Sequence, residues 1–182
     1  MTGTRPAWTD VPLERQHDRA GFDCGQPDLN AYLARFARQD HERGISRTFV
    51  VLDEDQRTIH GFYTLSPAQI DQAKAPEAVR RQAGRYPIGG YRLGRLAVSR
   101  ALQGRGLGGE LLIAAARRCI RVSTEVGGQV LVIDAKDDAA AAWYGRFGAL
   151  ALLDAPLTLV MPYALFAKAL EATGPASSTT HG

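Results

Sequence analysis

Gln103-Gly104-Arg105-Gly106-Leu107-Gly108-Gly109 is the stretch whose reading decides the fold. Its glycines stand just before an amphipathic run in which Leu111, Leu112, Ala115, Cys119, Val122 and Val126 share one helical face, with Arg117, Arg118 and Arg121 elsewhere on it. Glycines at a helix entrance let backbone N–H groups approach an anion, and the helix start adds unpaired donors and partial positive charge. A phosphate suits such a turn. A mononucleotide P-loop is excluded, because it needs Gly-Lys-Ser/Thr and Gly109 is followed by Glu110 and Leu111. Gly104, Gly106 and Gly109 also satisfy the dinucleotide pattern G-x-G-x-x-G, with Asp134 downstream. Against it, Ser99 to Gln103 separate strand from glycine, a hairpin stands upstream, and too little chain follows for further βα units.

Working outward, Tyr91 to Val98 reads as the strand before the loop. Gly127-Gly128 ends the helix, and Val130 to Ile133 is a buried strand. Asp137 or Asp138 caps a helix to about Phe147, and short strands follow near Leu150–Leu153 and Leu157–Met161. Upstream, one short strand precedes Phe22. Pro27 suits a first helical turn, Leu29, Leu33, Phe36 and Ala37 continue one helix, and Gly44 stops it. Thr48–Leu52 and Ile59–Leu65 flank the polar Asp53-Glu54-Asp55-Gln56 and predict an antiparallel hairpin. Ser66 to Gly90 lacks strong periodicity; a short helix over Ala75–Ala83 and a turn at Pro87-Ile88-Gly89-Gly90 are expected there. The order predicts an α/β (mixed α+β) single domain over residues 1–171, followed by a flexible tail over 172–182.

With 182 residues, 45% apolar and 23% charged, one globular domain is expected and wholesale disorder is excluded. The net charge is only +3, yet arginines outnumber lysines by 19 to three (Lys74, Lys136, Lys168). Codon usage explains such a bias; so does a surface for phosphate, whose geometry matches guanidinium forks. Thr2 to Leu13 holds no signal-peptide core, and no run approaches a membrane span, so a cytoplasmic protein is expected. Cys24 and Cys119 lack metal-type spacing. His17, His41, His60 and His181 form no i, i+4 pair, so no metal site is expected.

The third reading of the loop fits without strain. Gln103-x-x-Gly106-x-Gly108 resembles the acetyl-CoA pyrophosphate loop of the GNAT acetyltransferases. Asp137-Asp138-Ala139-Ala140-Ala141-Ala142-Trp143-Tyr144-Gly145-Arg146-Phe147-Gly148 resembles that family's second signature, at suitable separation. The resemblance covers about residues 10 to 165. It departs at Asp137, where the family carries asparagine and which caps a helix but cannot donate to the cofactor, and at Gly148-Ala149 in place of Gly-Phe. It implies a central mixed, mostly antiparallel sheet with a parallel splayed strand pair and flanking helices. Acetyl-CoA is then the donor, held by Leu96, Ala97, Val98, Gln103, Gly104, Arg105, Gly106, Leu107, Gly108, Gly109, Asp137 and Ala140, with no metal.

For acyl transfer the resemblance places an oxyanion donor among the backbone N–H groups of Leu96 to Val98, and Tyr144 as the acid for the leaving thiolate. A core aromatic is the alternative role for Tyr144. No general base is evident; Glu110 and Asp134 are candidates by proximity in sequence. An α-amine, with a pKa near 7.7–8.0, needs less help than a lysine near 10.4.

Phe22-Asp23-Cys24-Gly25 with Leu29-Asn30-x-Tyr32-Leu33, Gly61-Phe62-Tyr63-Thr64-Leu65-Ser66, and Leu93-Gly94-Arg95-Leu96-Ala97-Val98 are similar to the GNAT toxins of bacterial toxin–antitoxin pairs, though Ser99 stands where that branch often has Asp. The likeness implies acetylation of the α-amine on charged tRNA and neutralisation by a small ribbon-helix-helix antitoxin. Arg35, Arg38, Arg43 and Arg47 come early, and Arg80, Arg81, Arg85, Arg92 and Arg95 sit in or beside the variable segment; these are the candidate RNA contacts. A structural ion pair is the alternative role for Arg95. A GNAT enzyme for a small amine or a protein N-terminus, and a non-catalytic cofactor-binding module, stay open at this point, as does a homodimer.

Overall fold

The computed structural model describes residues 8–172. Seven strands form one sheet in the order β1-β2-β3-β4-β5-β7-β6. They are β1 (Asp10–Pro12), β2 (Arg47–Leu52), β3 (Ile59–Ile70), β4 (Ile88–Val98), β5 (Val130–Asp134), β6 (Leu150–Ala151) and β7 (Thr158–Pro162). Only β4 and β5 run parallel. The mixed, mostly antiparallel architecture expected from the sequence is present.

Strand alternation assigns the helices to two faces. On one face, α1 (Pro27–Arg35) and α2 (Ala37–Arg43) pack Tyr32, Leu33 and Ala37 against Val50 and Phe62, and α3 (Glu77–Arg80) packs Val79 against Val130, Val132 and Val160. Phe62 and Ile70 lie an even number of residues apart on β3, so both clusters share that face. The opposite face carries α4 (Leu107–Val126), α5 (Asp138–Gly145) and α6 (Tyr163–Ala172) over Tyr63, Leu65, Leu93 and Leu131.

Several expectations need correction. The single helix from Pro27 to Gly44 is two, broken at Phe36, whose backbone (φ −116°) leaves the helix and whose ring is 52% exposed; Gly44 does cap the second in a left-handed conformation. Pro87–Gly90 is no turn. β3 continues to Ile70 and β4 begins at Ile88, because Gly90 is needed where a Cβ would collide with the Val130 carbonyl of β5. The helix over Ala75–Ala83 shrinks to Glu77–Arg80, after a 3₁₀ turn at Gln72–Lys74. Val122 and Val126 are exposed beyond the core stripe of α4. The chain expected to be slack at Ala172 is helical there; the rest of the expected tail, and His181, lie outside the described residues.

Unforeseen in the sequence is the clamp around Arg118. Its guanidinium bonds Asp10 (Nη2–Oδ2, 2.8 Å) and the Tyr63 hydroxyl (Nε–O, 3.0 Å) and stacks 3.7 Å over the Phe49 ring. Burial opposes the charge on Asp10, but hydrogen bonds from Tyr63 and Arg118 outweigh it, so its pKa falls below the ordinary value. One guanidinium thus ties the edge strand to β2, β3 and α4.

Candidate active site

β4 and β5 pair only from Gly90–Val130 to Leu93–Ile133. Beyond that point they splay, and β4 keeps β3 alone as neighbour. Gly94 is a bulge: Leu65 opposes Leu93 and Thr64 opposes Arg95, leaving Gly94 without a partner. The Ser99 N–H donates to the His60 carbonyl (2.8 Å), so by alternation the peptide groups of Ala97 face β3 while those of Leu96 and Val98 face the splay. Of the three residues considered for an oxyanion donor, the geometry leaves Leu96 and Val98.

The splay opens into a cleft of about 460 Å³. Cys24, Gln26 and Leu29 wall it on the α1 side of the sheet, and Gly108, Trp143 and Tyr144 on the α4 side, so it runs through the sheet from face to face. The Asp23-Cys24-Gly25 … Asn30 pattern builds the first wall. Asn30 Oδ1 accepts from the Cys24 N–H (2.9 Å), Asn30 Nδ2 donates to Asp23 Oδ1 (2.9 Å), and Gly25 takes a φ of +82°. Gln103 Nε2 then donates to the carbonyls of Cys24 (2.8 Å) and Val98 (3.0 Å), bracing that wall against the end of β4.

A second hollow of about 530 Å³ adjoins it over the glycine loop. Gly104 (φ +77°) and Gly106 (φ +84°) occupy the left-handed region that favours glycine, and Gly106 caps α4. The first-turn N–H groups of α4 therefore open onto this hollow. Leu107 turns into the core. Gly108 and Gly109 lie under the rings of Trp143 and Phe147; a Cβ on Gly109 would meet Phe147 at 3.2 Å. Arg105 is exposed on the loop.

Asp137 caps α5 by accepting from the Ala140 N–H (2.8 Å), so both expected cofactor contacts are engaged with one another, and Ala140 lines the cleft. Tyr144 faces the cleft, its ring edge-on to Trp143 (centroids 4.9 Å). Burial pushes its pKa up to about 12, which keeps the phenol protonated and able to donate. Asp134 also lines the cleft, but Arg92 holds its carboxylate; Glu110 lies in the first turn of α4, beside the loop hollow rather than the Tyr144 cleft. Neither candidate stands free as a base within reach of Tyr144.

Arg92 and Arg95 share the α1–α3 face of β4. Arg95 makes no ion pair among the described residues; it lies 3.5 Å over the Tyr32 ring, whose hydroxyl donates to Asp40 (3.0 Å). Arg38 pairs with Glu42 (3.4 Å) and Arg81 with Glu77 (2.6 Å) along their helices. Arg35, Arg80 and Arg85 are exposed with no ion pair among the described residues. The composition held no signal for Trp143, Gln26 or Lys136, which also line the cleft; only the fold brings them there. Among the described residues no group of three His, Cys, Asp or Glu is placed to hold a metal, and no helix is long and apolar enough to cross a membrane.

Comparison with known proteins agrees with this geometry. The family described as "Acetyltransferase (GNAT) family" matches residues 13–149. The tRNA-acetylating toxin of Mycobacterium tuberculosis (strain ATCC 25618 / H37Rv) is 38% identical over 130 residues, covering 71% of this chain and 76% of that protein. Among solved structures, AtaT complexed with acetyl-methionyl-tRNAfMet superposes with a TM-score of 0.81 at 27% identity, over 91% of this chain and 98% of that one. A mutant AtaT toxin bound to the C-terminus of the antitoxin AtaR and acetyl-CoA gives 0.76 at 25% identity, over 90% and 98%.

Proposed function

The chain belongs to the GNAT acetyltransferase family, and from that premise we propose that it transfers acetyl from acetyl-CoA to the α-amine of the amino acid on charged tRNA, acting as a cytoplasmic toxin that stops translation. One observation carries the reading. The cleft passes through the sheet, with the glycine loop at its α4 side; at its other side Arg95 lines it, Arg92 shares that face of β4, and Arg35, Arg38, Arg80, Arg81 and Arg85 lie on or beside the helices that cover that face. Donor and acceptor then meet at β4 from opposite faces. The mycobacterial relative is named a tRNA-acetylating toxin, and AtaT is seen in complex with acetyl-methionyl-tRNAfMet and, as a mutant, with acetyl-CoA, which supports this acceptor.

In this reading the loop hollow and the start of α4 take the pyrophosphate, and the thioester lies in the splay beside Leu96 and Val98. The neutral α-amine adds to the carbonyl carbon, and the charge that develops on oxygen is met by the N–H of Leu96 or Val98. The C–S bond breaks as Tyr144 donates to the departing sulfur, and the nitrogen's surplus proton restores the phenol, directly or through water. With Asp134 held by Arg92, no carboxylate base is assigned; an α-amine supplies its own neutral fraction at pH 7. The arginines hold the RNA backbone. A small ribbon-helix-helix antitoxin is the proposed neutralising partner, in keeping with the AtaR-bound relative.

The test uses acetyl-labelled CoA with charged tRNA, uncharged tRNA and free amino acids in parallel. Label on charged tRNA, released as N-acetyl amino acid on mild base hydrolysis, is expected. Label on the free amines but not on charged tRNA would replace this reading by the small-amine one, and no CoA release with any acceptor would leave only a binding module.

A further inference from the structure

A chain with 19 arginines has three lysines, and they are placed unequally. Lys74 forms an ion pair with Asp154 (3.2 Å), and Lys168 is exposed on α6, away from the cleft. Lys136 stands in the short link between β5 and α5, on the wall of the cleft that holds Tyr144. Its backbone is fixed on both sides: the Ala135 N–H donates to the Leu157 carbonyl (2.8 Å), and the Asp137 carboxylate caps α5. The nearby carboxylate of Asp134 is held by Arg92, and Lys136 makes no ion pair among the described residues. Among those residues it carries the one side-chain amine lining the cleft; the other basic side chain there, Arg95, is a guanidinium and not an amine.

We propose that Lys136 is a self-acetylation site, modified when acetyl-CoA is bound and no acceptor fills the cleft. This rests on reading the cleft as the site of acetyl transfer. The ammonium first releases a proton to solvent. Nζ then attacks the thioester carbonyl carbon, the C–N bond forms and the C–S bond breaks. The sulfur leaves as CoA thiol with a proton from Tyr144, and the proton shed by nitrogen restores the phenol. The product is a neutral acetamide on the cleft wall. An enzyme short of acceptor retires itself, because the modification removes a cation from the acceptor's path and adds bulk to it.

The full chain is incubated with acetyl-CoA alone, and acetylation of each lysine is followed by peptide mass spectrometry. Lys74 and Lys168 report uncatalysed acetylation in the same molecule. A tethered amine gains effective concentration, so Lys136 is expected to be labelled at least about tenfold faster than either. The labelling slows in Tyr144→Phe and when charged tRNA competes. Equal labelling of the three lysines overturns the proposal, and so does labelling of Lys136 that is undiminished in Tyr144→Phe. Transfer to charged tRNA is measured on the same preparation. Transfer to tRNA without label on Lys136 defeats self-acetylation alone; label on Lys136 without transfer to tRNA defeats the tRNA reading alone.

Discussion

The glycine-loop face of the sheet and its arginine face differ in what fixes their residues. On the α4 side, backbone geometry decides: Gly104 and Gly106 adopt positive φ, and Gly109 sits where a Cβ would press on the Phe147 ring at 3.2 Å. On the α1–α3 side, side chains decide, and they are divided among several tasks. Arg92 holds Asp134, Arg81 and Arg38 pair along their own helices, Arg95 lies on Tyr32, and Arg35, Arg80 and Arg85 make no ion pair among the described residues. A substitution on the first face removes something singular. On the second it removes one contribution among several.

Tyr144→Phe breaks the contrast hardest, if the phenol has the proposed role. It deletes the proton donor but keeps the ring against Trp143, so kcat is expected to fall by about 10²–10³ with acetyl-CoA affinity little changed. Titration calorimetry and single-turnover kinetics separate the two effects. Because burial holds the phenol near 12, the wild-type rate is expected to rise with pH through the acceptor amine's range and show no fall from Tyr144 below about pH 11. A Tyr144-dependent descending limb near pH 9 would contradict that.

Arg118→Ala is the next largest, and it acts from the α4 face, where the clamp joins β1, β2, β3 and α4. Leaving Asp10 without its partner is expected to cost about 1–3 kcal/mol in urea unfolding. The pH dependence has a definite sign. Asp10 has a lowered folded pKa, so its stabilisation is present above the unfolded value of 3.8 and is lost as pH falls through the lower folded value. Asp10→Asn is less stable at neutral pH, and its deficit against wild type shrinks in that acid window.

Gly106→Val places a β-branched residue at φ +84°, at the N-cap of α4. Acetyl-CoA binding is expected to weaken by about 10–100-fold, roughly the 1–3 kcal/mol of such strain, while the intact chain still binds charged tRNA. Smallest is Arg80→Ala with Arg85→Ala, expected to raise KM for charged tRNA by about three- to tenfold. The slope of log binding against log salt should shrink by about 0.7–0.9 for each phosphate no longer neutralised, with turnover of bound tRNA unchanged. An unaltered salt slope would remove these two arginines from the RNA surface.

The same contrast explains what was legible in the sequence. The loop, the hairpin and the helix after Gly106 were readable because glycine placement and periodicity are local signals. Gly89-Gly90 misled because a glycine required by a neighbouring strand looks the same in sequence as one required by a turn; only pairing with Val130 tells them apart. Phe36 has helical spacing but turns out to solvent, and nothing in the periodicity marks that break. The Arg118 clamp joins residues more than a hundred positions apart, and Lys136 reaches the cleft only because β5 and β4 diverge. The arginine face was legible as a composition, not as a division of labour.

Gly94 has one more consequence, which is a matter of counting. Arg92 and Arg95 are three positions apart, and on an unbroken strand an odd separation sends two side chains to opposite sides. The unpaired glycine between them adds one step, so they oppose Ser66 and Thr64, two residues apart on β3, and emerge together. Drawing Gly94 into regular pairing would send one of the two arginines through the sheet to the glycine-loop side, whereas deleting it would leave them two positions apart on a regular strand and still on one face, with no charge changed in either case. The bulge therefore acts as a phase shifter that decides to which compartment of the cleft a cation belongs.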